Sequence, residues 1–231
     1  MSSPPSLQFV DQFAVRPMGS TTAAIITLLN TVISLLSSEP YVIVILLDFL
    51  RPLILYVMDP FSINSHRWTF LTIYNWLANF FCDHFHCTLF HDQLSSLLDI
   101  TASIIQGSTI RPATYVVTAG DLTTCISENF LRKYADDTNL SIPASNESSR
   151  HIEFVNIQNW AKQNNLKLNC DKACEIVFTD SRRRRPHAPE LPLMPGIVHC
   201  RSLKMLGMVI ADDFSVTQHV QWLVMSSAQT N

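Results

Sequence analysis

Residues Tyr41 to Phe49 read YVIVILLDF, an unbroken run of β-branched and aliphatic side chains with a single carboxylate near its end. Such a run fits a central β-strand covered on at least one face. Asp48 then becomes a carboxylate at a buried edge, where an ionised group needs a partner. The ordinary alternative for Asp48 is the N-cap of a following helix, but Pro52 interrupts helical pairing too soon for that.

A second acidic feature lies far along the chain. Tyr134-Ala135-Asp136-Asp137 sits between two short apolar stretches, Leu131 to Tyr134 and Thr138 to Ile142, which predict a hairpin with the Asp pair at its tip. Neighbouring carboxylates repel each other, and the flanking segments favour a half-buried sheet. One reading is a solvated turn, since Asp favours turns. The other is a divalent-metal site, in which a hard cation neutralises carboxylates gathered from separate strands. Successive strand side chains point to opposite faces, so neighbours can share a site only near a tight turn.

The rest of the chain supplies a plausible frame. After a Pro/Ser-rich start and a loop over Asp11 to Gly19, one of Ser20, Thr21 or Thr22 caps an amphipathic helix to about Leu36. A helix is expected over Tyr74 to Phe81, a strand and turn over Thr88 to Leu97, and a turn over Ser103 to Gly107. Pro112 starts a helix extending toward Gly120. Arg150 to Asn165 reads as an amphipathic helix with Ile152, Val155, Trp160 and Leu166 inward, and Glu175 to Phe178 and Met205 to Ile210 as further strands. Helices packed on one face of a small antiparallel sheet make an α+β domain.

Composition removes several function classes. A chain of 231 residues buries one core or slightly more. Its net charge of −3 does not mark a nucleic-acid binder, so any such role rests on local patches. Arg182 to Arg185 is the densest basic run, either a solvated loop or a backbone-phosphate contact. The six cysteines show no paired spacing and read as free thiols in a reducing compartment, and Cys82 to Cys87 matches no common zinc spacing. The apolar stretches Thr21 to Leu36 and Tyr41 to Met58 are broken by polar residues, Asp48, Arg51 and Pro52, which argues against a membrane protein. No secretory leader pattern is present.

Read outward from Tyr134-Ala135-Asp136-Asp137, the order of motifs resembles the reverse transcriptases of animal non-LTR retrotransposons, the jockey-like group in particular. DQFAVRPMGSTTAAI is similar to the family's fingers segment, YVIVILLDF to its first catalytic strand and KYADDTNLSIPA to its second catalytic element. SLLDITASIIQGSTIRPATYVVTAGDL is similar to its template- and nucleotide-contacting motif. NIQNWAKQNNLKLNCDKACEIVFTDS and SLKMLGMVIADDFSVTQHV resemble the two motifs that follow. The resemblance implies a polymerase palm of α+β class with a small antiparallel sheet backed by helices. It implies a partial fingers segment over 1–40, a palm over 41–231 and a missing thumb. It also implies RNA-directed DNA synthesis with an RNA template, a DNA primer, deoxynucleoside triphosphates and two Mg²⁺ ions, with Mn²⁺ as an alternative, in the nucleus or cytoplasm.

Carried over by position, the resemblance makes Asp48 and Asp136 the main metal ligands, with Asp137 supporting. Lys172 is placed to protonate pyrophosphate and Arg16 to sit over the triphosphate. Gln106, Gly107 and Ser108 would contact nucleotide and template, Tyr134 and Ala135 would border the primer end, and Leu206 and Gly207 would form the primer-gripping turn. A non-catalytic nucleic-acid-binding remnant is the competing reading.

One segment departs from the family. After Asp48 the family continues roughly LDFSKAFDTVRHSTLL, whereas this chain reads LRPLILYVMDPFSINSHRWTFLT before rejoining at YNWL. Codons exist for Leu50 to Thr72 that, read two bases later, give KAFDTVRHGSLLHQLTQMDIPD, the missing segment. Met58 and Trp68 leave no codon choice, so the match is tightly constrained. The expectation is an out-of-frame translation bounded by two compensating indels. Leu53 then stands where the family has an aromatic that screens out ribonucleotides. Arg111 stands where it has Gly. Both changes imply an impaired catalyst.

Overall fold

The structure, a computed structural model, describes residues 10–15, 17–50, 85–99, 112, 115–116, 119–164, 166–180 and 190–228. The expectations for Leu53, Tyr74 to Phe81, Ser103 to Gly107, Arg111 and Arg182 to Arg185 lie outside them.

Ser20 caps the first helix, α1 (Thr21–Leu36), its Oγ accepting the Ala23 N–H at 3.0 Å. The apolar run becomes β1 (Tyr41–Leu47), the middle of a five-stranded sheet. Its neighbours are β8 (Asp137–Pro143) on one side and β10 (Cys174–Thr179) on the other, both antiparallel. β7 (Phe130–Tyr134) closes the β8 side, and β11 (Val198–His199) runs parallel to β10 at the opposite edge.

β1 is buried on both faces because each face has its own apolar cover. Ile43, Ile45 and Leu47 pack with Leu140, Ile142 and the helix α2 (Arg150–Gln163) through Phe154, Ile157, Trp160 and Ala161. Val42, Val44 and Leu46 face Ile25, Leu28, Val32 and Leu36 of α1, joined by Ile176 and Phe178. Helices therefore cover both faces of the sheet, not one. A run with no polar phase demands this, since one bare face would leave three aliphatic side chains in water.

Two further elements differ from the sequence reading. Met205 to Ile210 is not one strand but a tight hairpin, β12 (Ser202–Met205) and β13 (Met208–Ala211), turning at Leu206-Gly207. Both turn residues have positive φ, 49° and 83°, the pattern of a hairpin turn whose twist matches its strands. In α2, Ile152 points outward, 54 % exposed, while Arg150 and Glu153 are buried. Both are fully paired: Arg150 makes a two-pronged contact with Glu175, and Glu153 accepts the N–H groups of Cys125 and Ile126 and the Asn129 amide. Polar residues on the inner face thus shift the apolar stripe by a residue. α3 (Thr217–Ala228) packs against β13 and buries none of its residues fully.

Short pairs complete the description. β2 (Phe49–Leu50) pairs with β9 (Lys167–Leu168), and β3 (Phe85–His86), β4 (Leu89–Phe90), β5 (Gln93–Leu94) and β6 (Leu98–Asp99) form small two-stranded ladders. Among the described residues no helix is long and apolar enough to cross a membrane.

Candidate functional site

Register brings the acidic features together. The β1–β8 ladder ends at Leu47↔Thr138, so the next step sets Asp48 opposite Asp137. On the other side, β1 pairs with β10 only up to Leu46↔Cys174, and Lys172 lies in the turn that leads into β10. Residues directly opposite in an antiparallel ladder share a face at close range. Asp137 and Asp48 therefore stand in one row at the end of the central strand, and the Lys172 side chain reaches Asp48 from the turn before β10.

Side-chain contacts fix the middle of that row. Asp48 Oδ2 accepts from Lys172 Nζ at 2.9 Å and from Asn169 Nδ2 at 2.9 Å, and the Asp48 carbonyl accepts the Asn169 N–H at 2.8 Å. The short β2–β9 pair delivers Asn169 to this point, since Phe49↔Leu168 leaves Asp48 beside Asn169. Nothing in the sequence marks Asn169, because its partner lies far away along the chain.

Asp136 and Asp137 occupy the hairpin tip, where Tyr134↔Asp137 closes a two-residue turn of Ala135 and Asp136. Asp136 is exposed and Asp137 half-buried. Ala135 takes a φ of 52°, a left-handed conformation uncommon for a residue with a Cβ. The group is electrostatically coupled: burial, then Asp136 and Asp48, push the Asp137 carboxyl up to about 6, with Lys172 opposing. The same three carboxylates raise Lys172, with its hydrogen bond to Asp48 the leading cause.

Tyr115 is a further member that sequence reading missed. Its ring is buried in the core, and its hydroxyl makes no hydrogen bond among the described residues. Burial first, and then Asp136, Asp48 and Asp137, hold the phenol far above its usual range. Arg16, Gln106, Gly107 and Ser108 lie outside the described residues. Leu206 and Gly207 form the turn of a hairpin whose Met205 Sδ accepts from Asn139 Nδ2 at 3.7 Å, two residues from Asp137.

Among the described residues, no three His, Cys, Asp or Glu side chains are already converged as metal ligands. Asp48 is instead turned onto Lys172 and Asn169. The donor set still suits a hard divalent cation: all the groups are carboxylates, and their mutual repulsion is what an ion between them removes.

No family model matches the chain. It is 25 % identical over 138 residues to the RNA-directed DNA polymerase from the mobile element jockey of Drosophila melanogaster, covering 54 % of this chain and 15 % of that protein. The chain thus spans a small part of that relative. Its fold is similar to apo telomerase from Candida tropicalis, with a TM-score of 0.54 at 9 % identity, covering 90 % of this chain and 37 % of the other. The sequence likeness is to the reverse transcriptase of a mobile element, and the α+β fold is similar to that of telomerase.

Proposed function

We propose that this chain is the palm portion of an RNA-directed DNA polymerase, inherited from a non-LTR retrotransposon, that extends a DNA primer on an RNA template. The observation that supports the reading is that Asp48, from a distant stretch of backbone, stands one register step beyond Leu47↔Thr138, near enough to Asp137 that its charge and that of Asp136 raise the Asp137 carboxyl. In this reading 1–40 contribute part of the fingers and 41–231 the palm.

Asp48 and Asp136 would hold two Mg²⁺ ions, with Asp137 supporting; when bound, the metals activate the primer hydroxyl and neutralise the leaving pyrophosphate. Asn169 orients the Asp48 carboxylate through its side-chain amide, while its backbone N–H holds the Asp48 carbonyl. Lys172 is kept protonated by its carboxylate neighbours, which suits a donor to pyrophosphate. Ala135 keeps the turn small where a primer end must approach. Leu206-Gly207, on a hairpin anchored to β8 through Met205, would grip the primer, and Arg16, Gln106, Gly107 and Ser108 would contact nucleotide and template. Leu53 and Arg111 would leave this copy impaired.

Primer extension on an RNA template, with Mg²⁺ or Mn²⁺ and deoxynucleoside triphosphates, tests the reading against Asp136→Ala. Incorporation by the unaltered chain should exceed that of the variant by at least about tenfold, the scale of losing one transition-state contact. Equal, background-level incorporation in both would favour a non-catalytic nucleic-acid-binding remnant.

A further inference from the structure

Along the free edge of β7, the segment from Asp11 to Ala14 runs beside the strand. Gln12 and Lys133 form a parallel bridge, with Phe13 N–H donating to the Lys133 carbonyl at 2.8 Å and Lys133 N–H to the Asp11 carbonyl at 2.7 Å. The Lys133 ammonium, 1 % exposed, pairs with the Asp11 carboxylate at 2.8 Å and donates to the carbonyls of Ala119 and Leu122 at 2.6 and 2.9 Å. The segment is therefore riveted to the sheet through backbone and side chain together.

Gln12, also 1 % exposed, reaches from this rivet to the hairpin tip. Its Oε1 accepts the N–H groups of Phe13 at 3.0 Å, Ala14 at 2.9 Å and Ala135 at 3.1 Å. The Ala135 bond stands out. The β7–β8 ladder ends at Tyr134↔Asp137, so the first turn residue has no cross-strand acceptor for its N–H. That residue also carries the left-handed backbone, at a position where glycine is usual. A buried acceptor supplied by another segment restrains a turn that its own sequence leaves loose.

We propose that Gln12 is a positioning residue for the carboxylate-bearing turn: its side-chain oxygen holds the Ala135 amide and thereby sets where Asp136 and Asp137 stand relative to Asp48. Its functional meaning rests on the polymerase reading, but the restraint itself does not. Nothing in the local sequence announces the contact, since the partners are joined only through the sheet edge.

The test compares the unaltered chain with Gln12→Met, which removes the acceptor, and Gln12→Glu, which keeps it. A carboxylate accepting several backbone N–H groups is well stabilised, so the Glu variant retains the geometry. Amide exchange by nuclear magnetic resonance should show Ala135 exchanging at least about tenfold faster in Gln12→Met, with the β1–β8 ladder amides unchanged and protection restored in Gln12→Glu. Mn²⁺ titration, read by line broadening at Asp136 and Asp137, should show weaker binding in Gln12→Met and recovery in Gln12→Glu. Equal Ala135 exchange in the unaltered chain and Gln12→Met overturns the proposal, as does faster Ala135 exchange with unchanged Mn²⁺ affinity. Failure of the unaltered chain to bind Mn²⁺ at these carboxylates sinks the polymerase reading instead, and the Ala135 exchange rates alone then decide for or against Gln12.

Discussion

Replacing Asp137 by Asn should stabilise the metal-free protein at neutral pH. Burial and the charges of Asp136 and Asp48 raise the Asp137 carboxyl from 3.8 to about 6 in the folded state. Because the folded value lies above the unfolded one, the favourable contribution is complete below about pH 3.8 and lost as pH rises through about 6. Full ionisation at this shift costs about 3 kcal/mol of folding free energy, which solvent screening of a half-buried group reduces to about 1–2 kcal/mol. Asp137→Asn escapes that cost. In a chain of this size its Tm at pH 7.5 should rise by about 2–6 °C, and the gain should vanish near pH 3.5. Thermal denaturation over a pH series measures both. A gain that persists unchanged at low pH would trace the effect to the turn backbone, and no gain at neutral pH would mean that neither burial nor the neighbouring carboxylates penalise the Asp137 charge. Under the polymerase reading, Mg²⁺ at pH 7.5 should raise the Tm of the unaltered chain and act less on the variant.

Two other expectations concern different parts of the molecule. Glu175, 1 % exposed, is held by Arg150 Nε at 2.8 Å, Arg150 Nη2 at 2.7 Å and His199 Nε2 at 2.7 Å, so Arg150→Met strands a buried charge and should cost about 3–5 kcal/mol in denaturant unfolding, most of it recovered by adding Glu175→Gln; a loss under about 1 kcal/mol would refute the pairing's importance. Sequencing the genomic locus should find codons for Leu50 to Thr72 that, read two bases later, restore the family's segment, and codons incompatible with that string end the frameshift proposal.

Elements with a strong local pattern were legible in the sequence. The apolar run became the central strand, Ser20 the helix cap, and the Asp pair the hairpin tip, because burial period, capping chemistry and turn preference act within a few residues. Paired polar residues in the interior hid the rest. Arg150 and Glu153 disguise the inner face of α2, so the sequence pattern points Ile152 inward. Lys133 did carry a readable hint: in β7 it shares the inward phase with Leu131, while Phe130, Arg132 and Tyr134 take the other. Asn169 and Gln12 carry none, since each acts through a partner brought close only by strand register. The family resemblance makes Leu206-Gly207 readable as a turn, but not its consequence, the splitting of one strand into two.

The site joins two unlike mechanical parts. Asp48 ends a strand packed on both faces by aliphatic side chains and tethered by Asn169 and Lys172, so its carboxylate has little freedom. Asp136 and Asp137 ride on a two-residue turn at the end of a hairpin, with one strained residue and one exposed side chain. Under the polymerase reading, two-metal chemistry would need these carboxylates placed to within a fraction of an ångström. The doubly buried strand supplies that accuracy on one side only. The Gln12 contact and the Lys133 rivet bring comparable restraint to the other, through a segment that precedes the first helix. A change in that segment, remote in sequence from every carboxylate, should therefore alter metal affinity before it alters the stability of the sheet.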